Sequence, residues 1–330
     1  MVETKTQALA VLVHEYGDPS VLKHESIELE APQPNEIRVR NVAIGVNFVD
    51  IYFRTGAYVA PTLPFTPGNE GAGIVTAVGS DVRDFRPGDR VAYVQVLGAY
   101  SAECNVPWRH AVPLPEQIEF DTAGAMMLKG LTAQYLLRRT FRVQQGQTVL
   151  IHSAAGGVGT ILSQWAKLLG AIVIGTVGSD EKVEVAKNCG CDFVIQRHKD
   201  DLVKRVREVT DGEMCQVVYD GIGKDVFPES IDCLSRFGYW VNYGAASGKV
   251  TPFDISLLMQ KGSIYATSQL LFDHLRNRED FIAMSAELFS LVKSGAITMP
   301  LISREPLSEA AEVHERLESG VTLGATILIP

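Results

Sequence analysis

Residues 153–159 read Ser-Ala-Ala-Gly-Gly-Val-Gly, a run of small side chains between the apolar segment Thr148-Val-Leu-Ile-His152 and an amphipathic stretch from Val158 to Leu169. Strand, tight turn and helix in that order form a phosphate-binding turn, with Ala154 in the place of its first glycine. With only a hydrogen on Gly156, the backbone N–H groups from Ala155 through Gly156 and Gly157 to Val158 can approach a pyrophosphate. Gly159 then lets the helix sit close to the strand. The helix N-terminus adds a partial positive charge directed at the phosphates. A turn of this kind is also found as a plain strand–helix connection. Here the following apolar run, Ala171-Ile-Val-Ile-Gly175, supplies the second strand that a dinucleotide unit requires.

The end of that second strand reports on the cofactor. An NAD site places Asp or Glu there for the ribose hydroxyls. Gly175-Thr-Val177-Gly178-Ser179 offers none, and Lys182 follows, with Arg197 at the end of the next strand. A hydroxyl and two cations suit an adenosine 2′-phosphate, so the expected cofactor is NADPH. The plainer reading of Lys182 and Arg197 is a pair of solvated surface charges. Asp180 would repel the phosphate unless it turns away to cap its helix. His152, at the end of a buried strand, is expected to be a hydrogen-bonded core histidine, and no histidine pairs with Ser or Cys in a nucleophile motif.

The elements that must hold these residues divide the 330 positions into two textures. The first 120 or so residues read as short strands and turns, among them Ala8 to Val13, Glu36-Ile-Arg-Val-Arg40, Gly73 to Val78 and Arg90 to Val94, with a proline-rich loop over Pro61 to Gly68. Near Asp121 helices are expected, one through Ala123 to Met127 and a second from Leu131 to Thr140. Beyond Thr148, strands alternate with helices: Val158–Leu169, Phe193–Ile195, Asp201–Thr210, Gln216–Tyr219, Val226–Leu234 and Gly238–Asn242. That alternation specifies an α/β fold with a doubly wound parallel sheet. Two amphipathic helices and a strand, Ala325–Ile329, end the chain and are expected to complete the first domain. The expected domains are therefore 1–124 with 268–330, and 125–267.

A net charge of −9 argues against nucleic acid and anionic membranes as partners. No stretch approaches the ~20 apolar residues of a membrane span. The five scattered cysteines match no zinc or redox spacing, which points to reduced thiols and a cytoplasmic protein.

With the phosphate turn, Gly45-Val-Asn-Phe-Val-Asp-Ile-Tyr52 and Pro67-Gly-Asn-Glu-Gly-Ala-Gly73 make the whole chain resemble the medium-chain dehydrogenase/reductase superfamily. It is most similar to the NADPH:quinone oxidoreductase branch that includes zeta-crystallin. Phe85 to Val91, Lys129 to Ala133 and Tyr219-Asp-Gly221-Ile222-Gly223 add to the match. The resemblance implies a Rossmann-type domain beside a β-rich, partly barrel-like (GroES-like) one, with the site in the cleft between them. The zinc enzymes of the superfamily place Cys where Asn47 stands and His where Asn69 stands. Amides are poor zinc ligands, so no metal is expected.

The resemblance also implies roles for particular residues. Asn47, Asp50 and Tyr52, with Thr132 and Tyr135, would line the nicotinamide end. Asn47 would hold the carboxamide or a substrate carbonyl. Tyr52 would either donate to a developing oxyanion or form an aromatic wall. Asp50 would touch cofactor or, alternatively, cap its loop. Further cofactor contacts are implied at Gly221 and Ile222, at Tyr243-Gly244-Ala245 and at Thr267-Ser268. Relatives often carry Tyr where Arg197 stands and Arg where Ser268 stands.

The expected reaction is hydride transfer from NADPH to a quinone or similarly activated carbonyl acceptor. Enoyl-thioester or alkenal reduction is the alternative within the same superfamily, and a non-enzymatic crystallin-like or RNA-binding role the alternative outside it. A homodimer through an edge strand at Ile264–Thr267 is expected by the same resemblance.

Overall fold

The computed structural model describes residues 6–299 and 301–330. Residues 1–5 of the first expected domain lie outside them. The chain forms two units. One comprises the described residues up to Leu128 with Asn277–Lys293 and Met299–Pro330, and the other Lys129–Arg276 with Ser294–Thr298.

The first unit opens with an antiparallel ribbon, β1 (Thr6–Val13) and β2 (Leu22–Leu29). There follow β3 (Glu36–Gly45), helix α1 (Phe48–Arg54), β4 (Glu70–Val78), β5 (Arg90–Val94), β6 (Glu103–Pro107) and β7 (Ala111–Pro113). Helix α2 (Phe120–Tyr135) begins in this unit and ends in the next. Two separate helices were expected here. A single helix forms and runs on through a wider turn at Leu136–Thr140, because Ala123 to Met127 and Leu131 to Leu137 are nearly all buried. That burial outweighs the ~1 kcal/mol helix penalty of Gly130.

In the second unit, β8 (Thr148–Ile151), α3 (Gly157–Leu168), β9 (Ile172–Val177), α4 (Glu181–Asn188), β10 (Phe193–Gln196), α5 (Leu202–Val209) and β11 (Cys215–Asp220) alternate as expected. The short helix α6 (Glu229–Asp232), β12 (Leu234–Asn242), α7 (Ser256–Gln260), β13 (Tyr265–Ser268) and α8 (Leu271–His274) follow. Helix α6 is shorter than the Val226–Leu234 expected, since Pro228 supplies no N–H and disfavours helical φ/ψ at Phe227. The strands lie parallel in the order β10-β9-β8-β11-β12-β13, which is the Rossmann order with the phosphate turn on its first strand. Parallel strands buried on both faces must be continuously apolar, and every residue of Thr148-Val-Leu-Ile151 is buried. Leu150, Ile174, Ile195, Val218 and Trp240 fill this core together with Leu202 and Val206 of α5.

The chain then returns through α9 (Arg278–Lys293), β14 (Ile302–Pro306), α10 (Ala310–Glu318) and β15 (Ala325–Ile329). Ile327 and Leu328 of β15 pair with Gly45 and Ile44, inserting the C-terminal strands into the order β14-β15-β3-β4-β5-β7. The sheet is antiparallel apart from the β14–β15 pair, and β6 adds to β3. Its core gathers Ile37, Val39, Val75, Val91, Tyr93, Val106 and Leu328. No helix among the described residues is long and apolar enough to cross a membrane.

Helix α2 crosses β3 through Gly124. A Cβ there would lie 2.7 Å from the Ala43 Cβ and 2.9 Å from its carbonyl oxygen. Gly124→Ala would gain up to ~1 kcal/mol of helix propensity. The rigid strand backbone opposite it makes overpacking the larger effect, at ~1–3 kcal/mol. Urea denaturation is expected to show a net loss of stability, and a gain would mean that the helix–strand spacing is relaxed.

Candidate active site

In the second unit the site residues converge on the carboxyl ends of the parallel strands. After β8 the chain turns at Ser153, which is exposed and held at φ 53°. Gly156 caps α3 with extended backbone, and its N–H returns to the Ser153 carbonyl at 2.9 Å. Gly157, Val158 and Gly159 open the helix, so their N–H groups have no acceptor within it. Gly156, Gly157 and Val158 are partly exposed, whereas Gly159 is buried. A Cβ at Gly159 would lie 2.8 Å from the Ala154 Cα and closer still to the Ser153 carbonyl oxygen. This glycine therefore sets how closely α3 sits on the turn.

His152 is fully buried and bonds Thr176 Oγ1 at 2.9 Å and Ser230 Oγ at 3.0 Å. Burial, with Arg197 nearby, pushes its imidazole down to about 3. It is a neutral core histidine, as the sequence suggested.

Beyond β9, Gly178 and Ser179 are exposed, and the Arg197 N–H donates to the Val177 carbonyl at 3.0 Å, so Arg197 leaves its strand beside this tip. Its guanidinium reaches the Asp225 carbonyl oxygen at 3.3 Å. Lys182 is half-buried in the first turn of α4, and desolvation lowers its ammonium. Asp180 does not cap α4 through its side chain. It pairs instead with Lys199, which holds its carboxyl below the usual range. The negative charge that would oppose a phosphate is thus matched by Lys199, a cation that the sequence pattern did not single out.

The β11 and β12 ends are organised by Asp220, a residue given no role from the sequence. It is fully buried. Its Oδ1 accepts the N–H groups of Ile222 at 2.8 Å and Gly223 at 2.9 Å, and its Oδ2 accepts the Trp240 indole at 3.2 Å. Burial raises its carboxyl pKa against these donors. The turn that results carries Gly221 and Ile222 against Tyr243 and Gly244, with Ala246 N–H donating to the Gly221 carbonyl at 3.2 Å. Thr267 and Ser268 end the neighbouring strand, in register with Val241 and Asn242. Gln269 ties this end together, bonding Thr140 at 2.6 Å, His274 at 3.0 Å and Thr267 at 3.3 Å. Tyr135 stacks on His274 at 4.4 Å and donates to the Gln269 carbonyl. Thr132, one turn earlier on α2, is buried.

In the first unit, Asn47, Asp50 and Tyr52 stand at the start of α1. Asp50 Oδ2 accepts the Asn47 backbone N–H at 2.8 Å and the Tyr100 hydroxyl at 3.1 Å, and Oδ1 accepts Asn69 Nδ2 at 2.8 Å. The Asn47 Nδ2 donates to Glu70 Oε1 at 2.7 Å, while Glu70 Oε2 takes the Leu128 N–H. With the carboxylates as acceptors, each amide presents its nitrogen to one of the acids. The Tyr52 ring packs on Tyr58 at 5.3 Å, with Phe53 on the other side of Tyr58.

Several of the residues expected to contact the cofactor are buried. Asp50 and Tyr135 are covered by their own hydrogen-bond partners, and Gly159, Gly175 and Val177 by packing on the turn and sheet. Burial pushes the Asp50 carboxyl up to about 7, against the pull of its donors. Its Oδ2 caps the loop that opens α1 through the Asn47 N–H.

Removing Asp220 should therefore expose the logic of the strand ends. Asp220→Ala leaves three buried donors unpaired and is expected to cost about 3–5 kcal/mol in urea unfolding, followed by Trp240 fluorescence. Asp220→Asn, which keeps one oxygen, should lose less. Equal losses would mean that the turn is held by something other than these bonds.

Two family models match, one described as an alcohol dehydrogenase GroES-like domain over residues 33–146 and the other as a zinc-binding dehydrogenase over residues 157–289. The chain is 47% identical to a quinone oxidoreductase of Pseudomonas aeruginosa, over 96% of this chain and 97% of that one. It is 45% identical to quinone oxidoreductase 1 of Escherichia coli, over 98% of this chain and 100% of that one. The solved structure of Escherichia coli quinone oxidoreductase complexed with NADPH superposes with a TM-score of 0.96 at 45% identity, covering 98% and 100% of the two chains. Zinc does not fit the residues at the ligand positions. Asn47 and Asn69 present amides whose N–H groups are committed to Glu70 and Asp50, and no group of three or more His, Cys, Asp or Glu side chains suited to a metal occurs among the described residues.

Proposed function

This chain belongs to the quinone oxidoreductase branch of the medium-chain dehydrogenase/reductase superfamily, and from that membership we propose that it reduces a quinone with NADPH. The observation that carries the cofactor choice is the tip of β9: Gly178 and Ser179 are open, the Lys182 N–H donates to the Ser179 carbonyl at 3.3 Å and the Arg197 N–H to the Val177 carbonyl at 3.0 Å, and Asp180 is paired with Lys199. An adenosine 2′-phosphate finds a hydroxyl and two cations there, and NADH finds no carboxylate for its ribose.

The turn fits a pyrophosphate because Gly156 to Val158 are accessible and Gly159 admits no side chain. Bound NADPH supplies a hydride at its nicotinamide ring. The Thr267-Ser268, Gly221-Ile222 and Tyr243-Gly244-Ala245 strand ends hold the rest of the dinucleotide. Asn47, with its amide nitrogen fixed by Glu70, orients the carboxamide or the acceptor carbonyl. Tyr52 donates a hydrogen bond to the acceptor oxygen as it gains electron density, and water or that phenol supplies the proton. One hydride and one proton convert each quinone carbonyl pair to the hydroquinone with two electrons transferred, and no metal is required to polarise so electron-poor an acceptor.

The finer context follows the same reading. The protein works in the cytoplasm as a homodimer joined through β13, whose outer edge is unpaired and whose Tyr265 is 52% exposed. Sedimentation at micromolar concentration should give twice the chain mass, and Tyr265→Lys should shift it toward the monomer. A monomer at all concentrations would remove the dimer from the reading.

Steady-state oxidation of NADPH and NADH against a quinone panel, a crotonyl-thioester and an alkenal, before and after chelator, tests the reaction. Rapid NADPH oxidation by quinones with no chelator effect is expected. Lys182→Ala and Arg197→Ala should each raise the KM for NADPH about tenfold while leaving NADH nearly unchanged. Equal use of the two cofactors by the unaltered protein would overturn the 2′-phosphate assignment, and preference for the thioester would replace the acceptor.

A further inference from the structure

Tyr100 and His314 take no part in the reaction described above, yet both are fully buried, between a partly exposed ion pair and Asp50. Glu318 accepts from both terminal nitrogens of Arg54, at 2.7 and 3.0 Å. The Arg54 Nη1 also lies 3.3 Å from His314 Nδ1. The other ring nitrogen, Nε2, is 3.0 Å from the Tyr100 hydroxyl, which is 3.1 Å from Asp50 Oδ2.

A guanidinium only donates, so His314 Nδ1 must accept and the single imidazole proton sits on Nε2. That proton is donated to the Tyr100 oxygen. The Tyr100 proton is then committed to Asp50, which receives it as an acceptor alongside the Asn47 N–H and the Asn69 amide. Burial and the Arg54 charge push His314 down to about 3, so the ring stays neutral. Reversing the chain is costly at either end. A proton on Oδ2 of Asp50 donated to Tyr100 would leave the Tyr100 proton no acceptor in the chain while Nε2 keeps its own, and moving that proton to Nδ1 would set it against the Arg54 guanidinium.

We infer that Tyr100, His314 and Arg54 are positioning residues of the reaction: a one-way hydrogen-bond chain that holds Asp50 as an anionic acceptor and, through it, fixes the Asn47 backbone and the Asn69 amide. The inference rests on the reading that Asn47 and Tyr52 face the reacting atoms. Helix α1 starts at the Asn47 N–H bond to Asp50, so the direction in which Tyr52 leaves the helix depends on that carboxylate keeping its lone pairs. Glu70, also buried nearby, opposes the Asp50 charge, and burial opposes it more strongly, leaving its carboxyl at about 7. The chain works against both.

The test compares the full-length protein with Tyr100→Phe, His314→Phe and His314→Gln, measuring kcat and KM for NADPH and quinone from pH 5 to 9. In parallel, a carboxyl-¹³C aspartate titration follows Asp50, identified by the resonance that Asp50→Asn removes. Removing a donor to a carboxylate raises its pKa. Tyr100→Phe and His314→Phe should therefore move the acid limb of kcat/KM, and the Asp50 titration with it, up by about one pH unit, the equivalent of one charge-assisted hydrogen bond. His314→Gln should restore both, since its amide oxygen can accept from Arg54 while its nitrogen donates to Tyr100. Variants that only melt at lower temperature, with limb and titration unmoved, would overturn the inference. If the unaltered protein reduces no quinone, the functional reading fails, and the carboxyl titration still decides whether the chain holds Asp50.

Discussion

A buried carboxylate must be met by donors, and among the described residues three are buried, Asp50, Glu70 and Asp220, at loops that carry candidate site residues. The desolvation each one suffers exceeds anything a single hydrogen bond returns, so each gathers several. Asp220 takes two backbone N–H groups and an indole, Asp50 a backbone N–H, an amide and a phenol, and Glu70 an amide and a backbone N–H. Because most of these donors belong to the turns themselves, satisfying the charge and fixing the loop are one event. The strand-end turn at Gly221–Gly223 and the start of α1 are held in this way.

The same requirement is met between Asp50 and Glu70 by amides. Where zinc relatives place a thiolate and an imidazole, this chain has two carboxamides, and each turns its N–H toward one of the buried acids. An amide nitrogen supplies only a dipole, and burial outweighs the donors at Asp50, whose carboxyl is pushed up to about 7. The resulting surface offers hydrogen bonds to an acceptor that already draws electrons and gives no Lewis acid for activating an alcohol.

The second unit solves a different problem with the opposite means. A pyrophosphate needs donors that are not already used, and the opening N–H groups of α3 meet that need because helix geometry leaves them without acceptors. At the β9 tip Lys199 pairs with Asp180, and Lys182 and Arg197 are further cations whose backbone N–H groups bond the Ser179 and Val177 carbonyls.

Much of this was legible in the residues. The period-two strands, the strand–helix alternation after Thr148 and the small-residue turn at Ala154 to Gly159 are local patterns, and local patterns follow from backbone sterics and side-chain periodicity over a few residues. So is the missing carboxylate after Val177, which separates the two cofactors. The helix at Gly130 and the shortened α6 were misjudged because burial in one case and a proline's lost N–H in the other shifted the local balance. The hydrogen-bond chain behind Asp50 was out of reach. Arg54 and His314 stand 260 residues apart in sequence, and Tyr100 and His314 stand 214 apart. No periodicity encodes such meetings. They exist because β15 and α10 return to the first sheet, and the fold alone decides that a histidine, a tyrosine and an arginine with unremarkable local surroundings share one line of hydrogen bonds whose direction follows from which of them can only donate.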